Sequence, residues 1–164
     1  MAPPAPWPLQ TRLELAAQPT APGAARGHVR AVAHEWGLAD LADTAALLTS
    51  ELVTNGLQAA QRLPARANLA TVPVVRLWIT SDGTCLVIHV WDASDQMPVL
   101  KEVAAGEENG RGLMLVAALG KDWGCYHTAE GGKATWVMIT AADPSDPARA
   151  TSNARRRVDG DRDS

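Results

Sequence analysis

Hydrophobic and polar residues follow two different periods along this chain, and these periods divide it into strands and helices. Alternation at every second residue predicts a half-buried strand, whereas apolar residues spaced by three and four predict a helix. In chain order the pattern predicts a strand (11–16), two helices (24–36 and 43–63), a hairpin (74–80 and 85–91), a short helix (113–119) and a second hairpin (122–128 and 134–141). Asp40 or Asp43 is the expected N-cap of the second helix.

This order of elements predicts an α/β (α+β) two-layer sandwich, with a mixed or mostly antiparallel sheet and its helices on one face. The predicted domain spans residues 11–142. Residues 1–10 are rich in proline and are expected to be a disordered lead. Residues 143–164 lack periodicity and are expected to be a disordered tail. The polar segment 93–109 is too long for a tight connection, so we expect a functional loop there.

The second predicted helix carries two polar side chains among apolar ones. Apolar residues recur around nearly its whole circumference, which indicates a buried helix. Glu51 and Asn55 lie four residues apart and therefore share a face. Burying a carboxylate and a carboxamide costs free energy unless a ligand, a metal or a hydrogen-bond partner meets them. Two interpretations stay open: the pair binds a ligand, or it caps a neighbouring loop or pairs with an arginine.

Two further features carry candidate chemistry. Asp92 follows a strongly apolar strand, where its carboxylate could accept a hydrogen bond from the exocyclic amine of a purine. Gly110-Arg111-Gly112 precedes a predicted helix, and glycines there let backbone N–H groups approach phosphate oxygens. Each feature also has a simpler interpretation, because turn aspartates and Gly-x-Gly sequences are common.

Composition narrows the class of protein. The chain of 164 residues is 46% apolar, which is enough to fill the core of one domain. Its net charge is −3 without long blocks of one sign, so nothing indicates binding to nucleic acid or to an anionic membrane. No apolar run approaches the roughly 20 residues of a membrane span, and the N-terminus does not resemble a signal peptide, so we expect a cytoplasmic protein. Cys85 and Cys125 are expected to be reduced, buried thiols.

Four segments together resemble a known family. Residues 51–55, Asp92 with Pro98, residues 110–116 and residues 131–136 follow the order and approximate spacing of the N, G1, G2 and G3 boxes of GHKL (Bergerat-fold) ATPases. The chain is similar to the small, single-domain bacterial branch of histidine-kinase-like ATP-binding regulators, which includes the anti-sigma-factor serine/threonine kinases. The resemblance covers residues 11–141.

The resemblance implies ATP and Mg²⁺ as cofactors and assigns a role to each residue. Glu51 would be the general base, Asn55 would bind Mg²⁺, Asp92 would bind the adenine amine, and Met97 would pack against the base. The backbone N–H groups expected to bind the phosphates belong to Gly110, Arg111, Gly112, Leu113 and Met114.

Two boxes depart from the family pattern. The G1 segment continues Ala93-Ser94-Asp95, without the usual glycines. In the G3 segment an ungapped match places Ala134 where a threonine usually helps to hold adenine. Thr135, the remaining candidate for this contact, stands one residue further along and is expected to point to the opposite face of the strand.

The resemblance implies a regulator of transcription that phosphorylates a serine or threonine of a protein partner. That substrate would resemble an anti-anti-sigma factor, and the regulator would sequester a sigma factor in its absence. Two alternatives stay open: an ATP-dependent protein-binding module with little or no phosphotransfer, and a nucleotide-free interaction domain. A homodimer is plausible, and direct binding to nucleic acid or membrane is not expected.

Overall fold

The computed structural model describes residues 7–64, 72–98 and 111–141 of the chain. The tail, Gly110, most of the 93–109 loop and the first six residues of the predicted lead lie outside the described residues. The elements are β1 (Leu9–Ala16), α1 (Ala21–Glu35), a 3₁₀ turn (Ala39–Leu41), α2 (Ala42–Gln61), β2 (Val74–Ser81), β3 (Cys85–Asp92), α3 (Arg111–Leu119), β4 (Asp122–His127) and β5 (Lys133–Thr140).

The five described strands form one sheet in the order β1-β2-β3-β5-β4. Every pairing between them is antiparallel, so the predicted sandwich is confirmed in its antiparallel form. The β2–β3 hairpin follows from its turn residues. Gly83 adopts a φ of 93°, and the Asp82 carboxylate accepts from the Thr84 and Cys85 N–H groups at 2.8 and 3.1 Å. These hydrogen bonds, led by the Thr84 amide, lower the pKa of Asp82 to about 2.

The helices cover one face of the sheet, and the hydrophobic core lies between the two layers. Burial alternates strictly along β2, where Val75, Leu77 and Ile79 point into the core. The central strand β3 is buried along nearly its whole length and contributes Leu86, Ile88 and Val90 to the core. Among the helices, α2 supplies most of the facing side chains, including the fully buried Leu48 and Val53. This arrangement fixes α2 across the middle of the sheet.

Three elements begin two or three residues earlier than predicted, including α3, which begins at Arg111 and not at Leu113. The strand β1 begins at Leu9, so residues 9 and 10 belong to the sheet and not to the lead. The helix α1 begins at Ala21, three residues earlier than predicted, because Pro22 lies in its first turn. Proline is tolerated there since the first helical N–H groups have no partner within the helix. Gly37 follows α1 with a φ of 74°, as its position after the helix predicts.

The predicted cap of α2 is also wrong. Its N-cap residue is Leu41, and neither Asp40 nor Asp43 provides a side-chain cap. The 3₁₀ turn runs directly into α2, so Leu41 has helical φ and ψ angles instead of the extended angles of a capping residue. Asp43 lies in the first turn, where its negative charge interacts favourably with the helix dipole. Its Oδ1 lies 3.6 Å from Arg30 Nε. Leu47 is 40% exposed, so α2 is not buried on all sides.

Both cysteines are free thiols, as expected, although Cys125 is half-buried and only Cys85 is fully buried. Within the described part of the chain, none of the helices combines the length and hydropathy that crossing a membrane requires.

Candidate functional site

The helices α2 and α3 bring the predicted general base close to the predicted phosphate-binding turn. Glu51 and Asn55 are half-buried on α2, and Gly112 is buried in the first turn of α3. A Cβ atom added to Gly112 would lie 2.7 Å from Glu51 Oε2 and 3.5 Å from Asn55 Nδ2. The backbone at the start of α3 therefore packs against both side chains, and a larger residue at position 112 would displace the Glu51 carboxylate. Two segments 57 to 61 residues apart in the sequence thus meet, as the resemblance implied.

The structure also bears on the simpler interpretation of this pair. Among the residues that the structure describes, Glu51 and Asn55 form neither an ion pair nor a side-chain hydrogen bond. An arginine partner for Glu51 is therefore not seen in residues 7–64, 72–98 or 111–141, apart from Arg111, whose side chain is not described. Both polar groups remain available to a ligand.

A cavity of about 260 Å³ lies beside Asn55, between α2, β3 and β5. Its apolar walls are formed by Leu52, Ala59, Met97, Pro98 and Leu113. Its polar lining consists of Asn55, Gln58, Arg62, Asp92, Ser94, Gln96, Lys133 and Thr135. Apolar walls with a few convergent polar groups are typical of a small-molecule site. The volume suits a purine base better than a whole nucleotide. With the base in this cavity, the phosphates of a bound nucleotide would lie outside it, towards Gly112.

A larger concavity of about 620 Å³ lies on the opposite face of the sheet, around Arg76, Trp78 and Trp91. None of the predicted site residues lines it. Arg76 is already engaged there, 3.0 Å from Glu14 and 4.7 Å from the centre of the Trp91 ring. We therefore place the candidate site in the smaller cavity, where the predicted motifs converge.

Asp92 lies at the inner end of this cavity, at the last position of β3. It is 3% exposed, and its Oδ1 accepts hydrogen bonds from Lys133 Nζ at 2.8 Å and from the Ser94 N–H at 2.9 Å. Burial raises the pKa of Asp92, and the Lys133 ammonium and the Ser94 amide partly offset this rise because they favour the charged form. The predicted adenine-binding carboxylate is thus present, and it already has a cationic partner.

Lys133 is not among the site residues that the sequence predicts. Asp92 and Lys133 are direct partners in the register between β3 and β5, so both side chains lie on the helix-facing side of the sheet. The signal that could have found Lys133 is this register. The sequence does not reveal this register, because both faces of β5 are apolar, with Val137 on one and Trp136 on the other.

The same register corrects the predicted roles of Ala134 and Thr135. Thr135 pairs with Val90 and lies on the same face as Asp92, while Ala134 pairs with Trp91 on the opposite face. Ala134 therefore does not occupy the site, and the expectation that Thr135 points away is wrong. A one-residue step along a strand reverses the face, so a motif match without a register cannot assign it. Thr135 lines the cavity, where its hydroxyl lies 3.3 Å from Cys125 Sγ.

Of the remaining predicted residues, Met97 and Leu113 line the cavity and Met114 does not. Met97 lines the cavity at 41% exposure, and Leu113 closes it from α3 with 6% exposure. Arg111 is the first residue of α3. Met114 is 47% exposed and does not line the cavity, so its side chain is not brought to the site.

Polar side chains organise the segment after β3, where the family pattern has glycines. The Ser94 hydroxyl accepts from the Gln96 N–H at 3.2 Å, and Asp95 Oδ1 accepts from the Gly132 N–H at 3.1 Å. These contacts connect the end of β3 to the turn before β5. The missing glycines are thus replaced by a set of hydrogen bonds.

Comparison with known proteins agrees with this geometry. The family model described as the histidine kinase-like ATPase domain matches residues 15–140, well over half of the chain. No curated protein matches the sequence. The matched region begins at the end of β1 and contains strands β2 to β5, the Glu51–Gly112 contact and the cavity around Asp92. The chain therefore belongs to the family of histidine kinase-like ATPase domains.

Proposed function

We propose that this protein is an ATP- and Mg²⁺-dependent kinase that phosphorylates a serine or threonine of a partner protein, in the manner of anti-sigma-factor kinases. The contact between Glu51 and Gly112 carries the proposal. Glu51 is half-buried and unpaired among the described side chains, and the start of α3 supplies backbone N–H groups beside it. A carboxylate next to a phosphate-binding turn has the position that a general base requires.

The proposed reaction is an in-line phosphoryl transfer. The hydroxyl oxygen of the partner's serine or threonine forms a bond to the γ-phosphorus of ATP. The bond between that phosphorus and the β–γ bridging oxygen breaks, and ADP leaves with the electron pair. Glu51 accepts the hydroxyl proton.

The residues present fit Mg²⁺ as a companion of ATP. No group of three acidic, histidine or cysteine side chains in the described residues could hold a metal alone, so phosphate oxygens must supply most of the ligands. Asn55 offers a hard carboxamide oxygen next to Gly112, where the absence of a Cβ leaves space. The ion would neutralise charge on the phosphates. Asn55 would hold it, and Glu51 would remain free for the proton.

One observation favours a second function, in which ATP binding controls the capture of a protein and phosphotransfer is negligible. The segment after β3 is held by hydrogen bonds of Ser94 and Asp95, whereas the family pattern has flexible glycines there. Such a module would bind a sigma factor, or a substrate similar to an anti-anti-sigma factor, in the cytoplasm, with a homodimer as the plausible assembly.

Calorimetric titration of ATP, with and without Mg²⁺, tests the nucleotide site first. We expect binding that requires Mg²⁺ and is lost in Asn55→Ala and weakened in Asp92→Asn. Exposed Glu35 at the end of α1 provides a matched control, because Glu35→Gln should bind ATP normally. Absence of ATP binding by the wild-type protein would contradict both proposed functions.

Transfer of labelled γ-phosphate to proteins of a host extract then separates the two functions. The kinase predicts phosphoserine or phosphothreonine on a partner, lost in Glu51→Gln and retained in Glu35→Gln. Undiminished transfer in Glu51→Gln would reject the proposed base. Partner capture that needs ATP and survives Glu51→Gln, without any transfer, would establish the binding module instead.

A further inference from the structure

The buried lysine of the cavity has hydrogen-bonding capacity that the described residues do not use. The Lys133 side chain is 7% exposed, and its Nζ lies 2.8 Å from Asp92 Oδ1 and 3.5 Å from the Ser94 carbonyl oxygen. An ammonium has three N–H donors. Two of them are accounted for, and the third has no acceptor in the described part of the chain.

Asp92 has the complementary capacity. Both of its hydrogen bonds from described residues end on Oδ1, which leaves Oδ2 without a donor in residues 7–64, 72–98 and 111–141. Because both residues line the cavity, this capacity is available to a ligand or to water there. Because Lys133 and Asp92 are direct register partners, a free donor and a free acceptor stand side by side in one cavity.

We propose that Lys133 and Asp92 recognise adenine together. Asp92 accepts a hydrogen bond from the 6-amino group, and the Lys133 ammonium donates to the ring nitrogen beside that group. The inference rests on the proposed ATP binding and adds a specificity-determining residue to it. Adenine presents this arrangement of a donor next to an acceptor on the edges that carry its amino group.

The surroundings of the pair support a base as its ligand. Met97 and Leu113 provide apolar surface in the same cavity, which suits the faces of a purine ring. Thr135 lies on the same face of β5 as Lys133, two residues along, and adds a hydroxyl to this wall. Guanine carries a carbonyl oxygen instead of an amino group at its 6-position, which would place an acceptor against the Asp92 carboxylate. The arrangement therefore favours adenine over guanine.

Analogues of ATP that lack one ring nitrogen test this role directly. The dissociation constants of ATP, 1-deaza-ATP, 7-deaza-ATP and GTP are measured by calorimetry with Mg²⁺ for the wild-type protein and Lys133→Met. We expect the wild-type protein to bind one of the two deaza analogues about 10- to 100-fold more weakly than ATP, the loss expected for one hydrogen bond to a charged donor. Lys133→Met should bind ATP and that analogue equally.

The exposed Lys121, just before β4, serves as a matched control, and Lys121→Met should discriminate as the wild-type protein does. If Lys133→Met fails to fold, the double variant Asp92→Asn/Lys133→Met removes both charges and should likewise fail to discriminate. Loss of discrimination, and not weaker binding alone, separates recognition of the base from a structural role.

Three results would overturn the inference. If the wild-type protein binds both deaza analogues as tightly as ATP, Lys133 does not contact the base, while the proposed ATP binding stands. If GTP binds more tightly than ATP, adenine is the wrong base. If no nucleotide binds at all, this inference and the proposed function fail together.

Discussion

Protonation of His89 is expected to destabilise the fold in mild acid. His89 lies in the middle of β3 on the face opposite the helices, is 5% exposed, and stacks on Trp78 with ring centres 5.2 Å apart. Its Nδ1 is buried without a hydrogen-bond partner among the described residues. Burial lowers the pKa of His89 to about 4, because the charged imidazolium would lose its hydration.

The size of the effect follows from the two pKa values. In the unfolded chain His89 titrates near 6.5, and in the folded protein near 4. Between these values the unfolded state binds more protons, so stability falls as the pH is lowered. A tenfold difference in proton affinity is worth about 1.4 kcal/mol. Protonation of this one residue therefore lowers the free energy of unfolding by about 3 kcal/mol between pH 7 and pH 4. That is a substantial part of the 5–15 kcal/mol by which domains are typically stable.

Urea unfolding, followed by tryptophan fluorescence at several pH values from 7 to 4, measures this dependence. His89→Phe keeps an aromatic ring against Trp78 and cannot bind a proton. We expect its free energy of unfolding to fall by about 3 kcal/mol less than that of the wild-type protein over this range. The exposed His34 is the control, since His34→Gln should keep the full dependence. Parallel profiles for the wild-type protein and His89→Phe would refute the reasoning.

Three glycine and charge substitutions give further predictions. Gly112→Ala should reduce phosphotransfer, because its Cβ would lie 2.7 Å from Glu51 Oε2 and would displace the general-base carboxylate, whereas Gly27→Ala on α1 meets open space and should retain transfer. Lys133→Met should lower the free energy of unfolding by about 3–5 kcal/mol, because it leaves Asp92 buried and unpaired. The double variant Asp92→Asn/Lys133→Met should lower it much less. Equal losses for the two variants in urea unfolding would contradict this reasoning. Gly56→Ala should raise the free energy of unfolding by about 1 kcal/mol, and with it the melting temperature, because alanine has the higher helix propensity and the nearest atoms to its Cβ would lie at 3.5 Å. A lower melting temperature would show that this space is not available.

The sequence pattern predicts the elements of this fold well because each has one apolar and one polar face. In β2 the alternation around Leu77 leaves a single choice of buried face, and the turn at Gly83 fixes its pairing with β3. The Glu51–Gly112 contact was also foreseeable, although only through the resemblance to a family. No local pattern relates a residue of α2 to the first turn of α3.

The pattern fails where two faces of an element are equally apolar. In β5 the residues on the helix side and on the opposite side are both hydrophobic, so periodicity cannot decide which of them faces the site. Only the pairing of Asp92 with Lys133 settles the choice, and this pairing joins positions 41 residues apart. For this reason the sequence predicts the wrong face for Thr135 and does not predict Lys133 as a site residue.

The departure from the family's glycine pattern and the buried lysine belong to one structural feature. Ser94 stands where a glycine is usual, and Asp95 follows it. Ser94 binds Asp92 through its backbone N–H, and Asp95 accepts from the backbone N–H of Gly132. These bonds connect the end of β3 to the residue immediately before Lys133. Both ends of this connection therefore determine where the Asp92 carboxylate and the Lys133 ammonium meet. Replacing Asp95 by glycine would remove the contact to Gly132, and the cavity would lose a constraint on the Asp92–Lys133 pair while both of these charges remain.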